Sequence, residues 1–265
     1  MSSLIKHKPL KKFGQNFLID PWVIQQIINE INPINNQMIL EIGPGFGAIT
    51  VGLLNSSVKL IAIEIDNNLF NSLTSKFAQQ ISTNQLILIN QDILNIDLLA
   101  LPINVTSELR IVGNLPYNIS TPLLFKMFTY SKQIRDMHFL LQKELAERLV
   151  AKPNNKKYGR LSVMAQYHAN INIAFNVQAE SFKPSPKVES SMVKINPFID
   201  LPYVAKDYVT FSQVVNAAFS KRRKILSNCL KEYCSDSHLR SLGVDPMLRP
   251  EQLEVADFVR ISNSL

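Results

Sequence analysis

Four short apolar runs limit what this chain can become. They are residues 38–42 (Met-Ile-Leu-Glu-Ile), 59–65, 86–89 and 111–113, and each is rich in β-branched or leucine side chains and too short for a buried helix. Helical patterns fall between them: Ile49, Leu53 and Leu54 follow the first run, and Asp66 is placed to cap a helix that starts near Asn67. Strands that alternate with helices form parallel sheets with helices on both faces. Such an open sheet binds its ligand beyond the carboxyl ends of its strands, so the residues that close each run are the first candidates for chemistry.

Those closing residues differ in kind. The first run leads into Gly43-Pro44-Gly45-Phe46-Gly47, where alternate glycines let a ligand approach the backbone and a helix N-terminus adds partial positive charge. The second ends at Glu64, about 20 residues past the glycine turn, where an acid is placed to hold a ribose diol. The third closes on Asp92, an acceptor for an adenine amine or a turn-forming aspartate. The fourth opens into Asn114-Leu115-Pro116-Tyr117. Asn114 can accept from an amine, Pro116 stiffens the loop and Tyr117 offers a flat face, a set that suits a nucleobase with an exocyclic amine. A dinucleotide and S-adenosylmethionine both suit the layout. The third glycine falls two positions after the second rather than three, which favours the sulfonium compound.

Ahead of the first strand, Asp20 and Pro21 mark a helix start, and Val23, Ile24, Ile27, Ile28 and Ile31 form its apolar face. The segment before it, Phe13-Gly14-Gln15-Asn16-Phe17-Leu18, reads as a lid. After the tyrosine, Ser120 is expected to cap a helix carrying Leu123, Leu124, Met127 and Phe128. Strands are expected over 136–141, 170–177 and 190–195, the last two pairing antiparallel at the sheet's edge. His168 reads as packed rather than catalytic. Phe182, in the stiff cationic loop Ser181-Phe182-Lys183-Pro184-Ser185-Pro186-Lys187-Val188, reads either as a second stacking face for a base or as a plug at the core's edge. Pro197 and Pro202 mark a linker. The division is therefore 1–199, a ligand-binding α/β domain, and 200–265, a small helical domain that includes the basic run Lys221-Arg222-Arg223-Lys224.

A formal charge of +7 points to a polyanionic partner, and the basic run and the loop 152–160 suit a phosphate backbone. Two cysteines, Cys229 and Cys234, make no disulfide framework, and no Cys/His set has metal-ligand spacing, so no metal is expected. No apolar run reaches the ~18 residues of a membrane span. The N-terminal stretch 1–12 is basic but lacks the apolar core of a secretory signal. A soluble, cytoplasmic protein is the expectation.

Six segments in order resemble the small-subunit ribosomal RNA adenine dimethyltransferases over nearly the whole chain. They are Phe13–Leu18, Glu41–Gly45, Asn114-Leu115-Pro116-Tyr117-Asn118-Ile119-Ser120-Thr121-Pro122, Tyr158–Val163, Phe182–Val188 and Phe219–Lys224. The resemblance implies a Rossmann-like class I methyltransferase sheet followed by a small all-helical C-terminal domain. It implies methyl transfer from S-adenosylmethionine to two adjacent adenosines near the 3' end of 16S ribosomal RNA in a pre-assembled small subunit; a monomer is the expectation for the chain itself. Asn16, Leu18, Gly43, Glu64, Asp92 and Asn114 would border the methyl donor, and Tyr117 and Phe182 would sandwich the target base. Three other readings are compatible with parts of the chain: a large-subunit ribosomal RNA methyltransferase, an assembly factor that works by binding, and, least favoured, a nicotinamide-dependent oxidoreductase.

Overall fold

The computed structural model describes residues 15–101, 109–221 and 223–265. The basic stretch 1–12, Phe13 and Gly14 of the expected lid, residues 102–108 and Arg222 lie outside them. The described chain falls into two compact units. One takes the residues up to Lys143 together with Asn172–Pro197, and the other takes Glu144–Ile171 with Phe198–Leu265. The segment 144–171 thus groups with the C-terminal helices, whereas the sequence reading kept all of 1–199 together.

The first unit is built on a seven-stranded sheet in the order β4-β3-β2-β5-β6-β9-β7, comprising β2 (Met38–Ile42), β3 (Lys59–Glu64), β4 (Leu86–Asn90), β5 (Leu109–Asn114), β6 (Ile134–Gln142), β7 (Ala169–Val177, of which 169–171 group with the second unit) and β9 (Ser190–Pro197). Strands β4 to β6 are parallel, and β9 is antiparallel to β6. The four expected runs are the four adjacent strands on one side of this sheet. Their register aligns the tips: Ile42 lies opposite both Ile63 and Gly113, and Glu64 lies opposite Asn90. A separate two-stranded ribbon pairs β1 (Phe17–Leu18) with β8 (Phe182–Lys183), antiparallel.

The helices of this unit form where local chemistry dictates. Helix α1 (Pro21–Ile31) starts at Asp20, whose Oδ1 accepts from the amides of Trp22 and Val23, and buries Val23, Ile27, Ile28 and Ile31. Helix α2 (Ala48–Asn55) follows the glycine turn. Helix α3 (Asn67–Lys76) starts at Asp66, whose Oδ1 accepts from the amides of Asn68 and Leu69 as expected, and the short α4 (Ala78–Ser82) follows it. Helix α5 (Ser120–Phe128) departs from expectation: Ser120 does not cap it, because its hydroxyl donates to the Pro116 carbonyl at 3.0 Å instead.

At the opposite end of the strands from their tips, Arg110 on β5 holds Asp136 on β6 through two bonds, Nε to Oδ1 at 2.7 Å and Nη2 to Oδ2 at 3.0 Å. Burial alone would raise the Asp136 carboxyl, but hydrogen bonding and charge from His138 and Arg110 outweigh it and hold the group at about 2. The same guanidinium reaches the Asn32 carbonyl at 3.4 Å, just past the end of α1. The C-terminal end of α1 is therefore tied to the start of β5.

The second unit is helical: α6 (Lys143–Val150, of which Lys143 belongs to the first unit), α7 (Arg160–His168), α8 (Tyr208–Ser220), α9 (Leu226–Leu230), α10 (Asp236–Ser241) and α11 (Val255–Ser262). Tyr167, Phe211, Phe219 and Phe258 contribute rings to its core. His168 packs against Tyr208, and burial lowers its pKa to about 4, in keeping with a packed histidine. Helix α8 ends at Ser220, and Arg223 takes a left-handed backbone (φ 72°) before α9 begins. No helix among the described residues is long and apolar enough to cross a membrane.

The close packing of β5 against β2 explains Gly113. A Cβ there would lie 2.7 Å from the Ile42 carbonyl oxygen and 3.1 Å from a methyl of Leu115, and a backbone atom in a sheet cannot yield cheaply. Gly113→Ala should cost about 1–3 kcal/mol or more, as overpacking of a dense interior does. Denaturant unfolding of the two proteins measures it, and equal midpoints would show that β5 can shift.

Candidate active site at the strand tips

The tips of β2, β3 and β5, the residue pair after β4 and the 15–18 segment enclose a cavity of about 290 Å³. That is near the lower end of the ~300–1,000 Å³ typical of small-molecule sites. Asn16, Leu18, Gly43, Glu64, Asp92, Asn114, Leu115, Pro116 and Tyr117 all line it, so nine of the ten expected residues share one space. Phe182 does not line it. Its ring is 4% exposed and packs in the core beside Leu18, its partner across the β1–β8 ribbon, because the ribbon turns that side chain inward.

The glycine turn forms one wall. Gly43, Gly45 and Gly47 all have positive φ (66°, 59° and 78°), a conformation that side chains resist and that bends the chain sharply from β2 into α2. At Gly45 a Cβ would also meet the Phe17 ring at 3.0 Å. The Phe17 and Phe46 rings pack tilted at 55° across this turn with centroids 4.5 Å apart, and the Lys76 ammonium holds the Phe46 carbonyl at 2.8 Å. Phe17 bears out the lid reading for the described part of that segment, whereas the Phe46 partnership is not visible in any local pattern.

Glu64 organises the turn from below. Its Oε2 accepts from the Gly45 amide at 3.1 Å and its Oε1 from the Asp66 amide at 2.9 Å. A carboxylate can take about four bonds, so acceptor capacity remains for a ligand. Burial raises its pKa, and hydrogen bonding to the Asp66, Gly45 and Ile65 amides pulls it back down only in part. Glu41 is deeper, 2% exposed, and accepts the Thr50 hydroxyl at 2.7 Å. Burial, with a smaller contribution from the charge of Glu64, lifts Glu41 to about 7. Sequence pattern alone assigns Glu41 no role. The available signal was an acid inside an otherwise apolar strand, which has to be satisfied or neutralised when buried. Two buried carboxyls beside one cavity favour a cationic ligand.

Asp92 forms the expected turn and also lines the cavity. Its Oδ1 caps the turn at the Leu94 amide, 2.9 Å away, and its Oδ2 is a second acceptor at the cavity wall. No group of three or more His, Cys, Asp or Glu side chains among the described residues is arranged to hold a metal ion.

Asn114 is set by the opposite wall. Its Nδ2 donates to the Asn16 carbonyl at 2.8 Å. A carbonyl only accepts, so this bond assigns the nitrogen to Asn16 and directs the Oδ1 elsewhere. Gln15 fastens the same segment by donating to Asp66 Oδ2 at 3.0 Å. In the loop beyond, the Pro116 carbonyl takes both the Ile119 amide (3.2 Å) and the Ser120 hydroxyl (3.0 Å). The Tyr117 hydroxyl meets the buried Ser190 hydroxyl of β9 at 3.2 Å, a tether that sequence spacing does not reveal. The arrangement offers an oriented amide oxygen, a flat ring and a wall of acceptors, which suits an amine-bearing base next to a cationic nucleoside.

A family model described as ribosomal RNA adenine dimethylase matches residues 6–265. The Pseudomonas aeruginosa protein named ribosomal RNA small subunit methyltransferase A is 46% identical over 265 residues, covering 100% of this chain and 97% of that protein. Its namesake in Hahella chejuensis is 45% identical over 261 residues, covering 98% and 93%. Among solved structures, a dimethyladenosine transferase from Plasmodium falciparum superposes with a TM-score of 0.77 at 24% identity, covering 92% of this chain and 95% of that one. The 23S rRNA methyltransferase ErmE gives 0.72 at 21%, covering 94% and 99%. These two likenesses establish the class I methyltransferase fold.

The Glu41 shift has a sign that can be checked. Its folded pKa, about 7, lies above the unfolded value near 4.5, so the native state holds the extra proton between those two pH values. Its contribution to stability should therefore fall as pH rises from about 4.5 to about 7 and then level off. Glu41→Gln should flatten that part of the profile in thermal melts across the range; a profile parallel to that of the wild type would mean that Glu41 is ionised in the fold.

Proposed function

Because this chain belongs to the ribosomal RNA adenine dimethylase family, we propose that it methylates the 6-amino groups of two adjacent adenosines near the 3' end of 16S ribosomal RNA, within the small subunit. The methyl donor in this reading is S-adenosylmethionine, the enzyme acts as a monomer in the cytoplasm, and the unit built on the seven-stranded sheet carries the transfer. The observation that carries the reading is the Asn114–Asn16 bond, which leaves the amide oxygen as the acceptor at the tip of β5.

The donor fits the chain's own residues. Gly43 and Gly45 allow close backbone approach, Glu64 keeps acceptor positions for a ribose diol, and Asp92 Oδ2 can take an adenine amine. Asn16 and Leu18 close over it from the 15–18 segment. The buried carboxyls of Glu41 and Glu64 suit its positive charge. When bound, it supplies an electrophilic methyl group on a sulfonium sulfur.

On the target side, an adenine amine is a weak nucleophile because its lone pair is delocalised into the ring. Hydrogen bonds from its two N–H groups to Asn114 Oδ1 and to a main-chain carbonyl favour a tetrahedral nitrogen with a localised lone pair. They therefore act on the geometry of the transition state more than on the ground state. The Pro116 carbonyl already holds two donors, so the Leu115 carbonyl is the second acceptor. No general base is needed, because the proton becomes acidic only as the nitrogen acquires its new bond. Pro116 keeps the loop rigid, and the Tyr117 ring stacks on the base with its hydroxyl held by Ser190. Phe182, buried behind the ribbon, braces Leu18 rather than covering the base's other face.

Incubation with labelled S-adenosylmethionine and unmethylated small subunits should give N6-dimethyladenosine on nucleoside analysis. Asn114→Ala should reduce turnover by at least about 100-fold, the usual cost of a lost transition-state hydrogen bond, while donor affinity stays within a few-fold. Label in another nucleoside, or near-normal turnover by the variant, would refute the reading. Tyr117→Ala should lose ~1–3 kcal/mol of base stacking at limiting subunits. If Ser190 acts through the phenol, Ser190→Ala should add no defect in a Tyr117→Phe background; additive losses in a double-mutant cycle would show that it does not.

A further inference from the structure

Trp22 is the chain's single tryptophan, and it is 68% exposed. It occupies the first turn of α1, whose buried face is made by Val23, Ile27, Ile28 and Ile31 and has no use for it. This first turn follows directly on the 15–18 segment, whose Gln15, Asn16, Phe17 and Leu18 line the cavity, so Trp22 stands four residues along the chain from the cavity wall. Two bonds fasten the start of the helix to the chain entering β8: the Ser181 hydroxyl donates to Asp20 Oδ2 at 3.1 Å, and the Ile19 amide donates to the Ser181 carbonyl at 2.9 Å. Lys183, opposite Phe17 in the ribbon, and Lys187 beyond it are exposed, against one exposed acid, Glu180. Ile19, three residues before the tryptophan, is 53% exposed.

An indole that the fold holds in water, on a helix start tied to the lysine-bearing chain entering β8 and following the segment that lines an adenosine pocket, has the makings of a stacking surface. Drawing one of two adjacent adenosines out of an RNA strand leaves its neighbour without a stacking partner. We propose that Trp22 is a platform for that unpaired neighbouring base, with Lys183 and Lys187 meeting the phosphates on either side of it. This deepens the reading of the cavity as an adenosine site and rests on it.

The single tryptophan makes the platform directly observable. The full-length protein, saturated with S-adenosylhomocysteine, is titrated at low salt with a short single-stranded oligoribonucleotide containing two adjacent adenosines. Its intrinsic fluorescence should be quenched along the same isotherm that anisotropy of labelled RNA reports. Trp22→Ala and Trp22→Leu should weaken RNA binding about tenfold, Trp22→Phe should stay within about threefold, and S-adenosylmethionine affinity should be unchanged in all three. On unmethylated small subunits the alanine variant should raise KM and leave kcat alone. Unquenched fluorescence, or a leucine variant that binds as the wild type does, would overturn the platform. Normal methyl transfer with all three variants indistinguishable from the wild type would sink the platform alone. Quenching by RNA with no methyl transferred to the subunits would sink the methyltransferase reading and leave the platform standing.

Discussion

The hydrogen bond from Asn114 Nδ2 to the Asn16 carbonyl joins residues 98 positions apart, and the site depends on it. Its net worth in stability is ordinary, about 0.5–1.5 kcal/mol. Its effect on geometry is larger, because a carboxamide can turn over and exchange its donor for its acceptor. A carbonyl partner permits one of those two states. The same bond draws the 15–18 segment across the tip of β5, so one contact both orients the acceptor and closes the cavity over the glycine turn.

Around it, the sheet separates stability from chemistry. At one end of the strands a bidentate Arg110–Asp136 pair is fully satisfied and ties β5 to β6 and to the end of α1. At the other end the polar groups are satisfied only in part. Glu64 gives one position on each oxygen to the backbone, and Asp92 gives one oxygen to its turn. The unused acceptors converge because the register of β4-β3-β2-β5 aligns the tips, and a rigid parallel sheet keeps them aligned without a ligand. Buried carboxyls whose pKa values are raised mark this end as the one built for a partner that supplies positive charge.

The features legible in the sequence were those with local causes. Asp20 and Asp66 cap helices because a short acceptor precedes an apolar periodic run, and the strand tips could be read from the residues that interrupt β-branched runs. Most of the misses were non-local. Whether Phe182 faces a ligand or the core depends on its register with Leu18, a pairing across more than 160 residues. Ser190 carries no signal that it will meet Tyr117, and Glu41 reads as a blemish in a strand until Thr50 and the cavity are placed around it. Ser120 stands where a cap should be, yet the carbonyl of a proline one turn back claims its hydroxyl. The grouping of residues 144–171 with the C-terminal helices is likewise a property of packing, and no change of composition announces it.

The most direct test is a crystal structure of the protein with S-adenosylhomocysteine and an RNA fragment whose adenosine fills the cavity. The account requires the adenine 6-amino nitrogen within about 3 Å of both Asn114 Oδ1 and the Leu115 carbonyl oxygen, with Asn114 Nδ2 still on Asn16. A base whose amine faces Nδ2, or one seated away from the tip of β5, would contradict it.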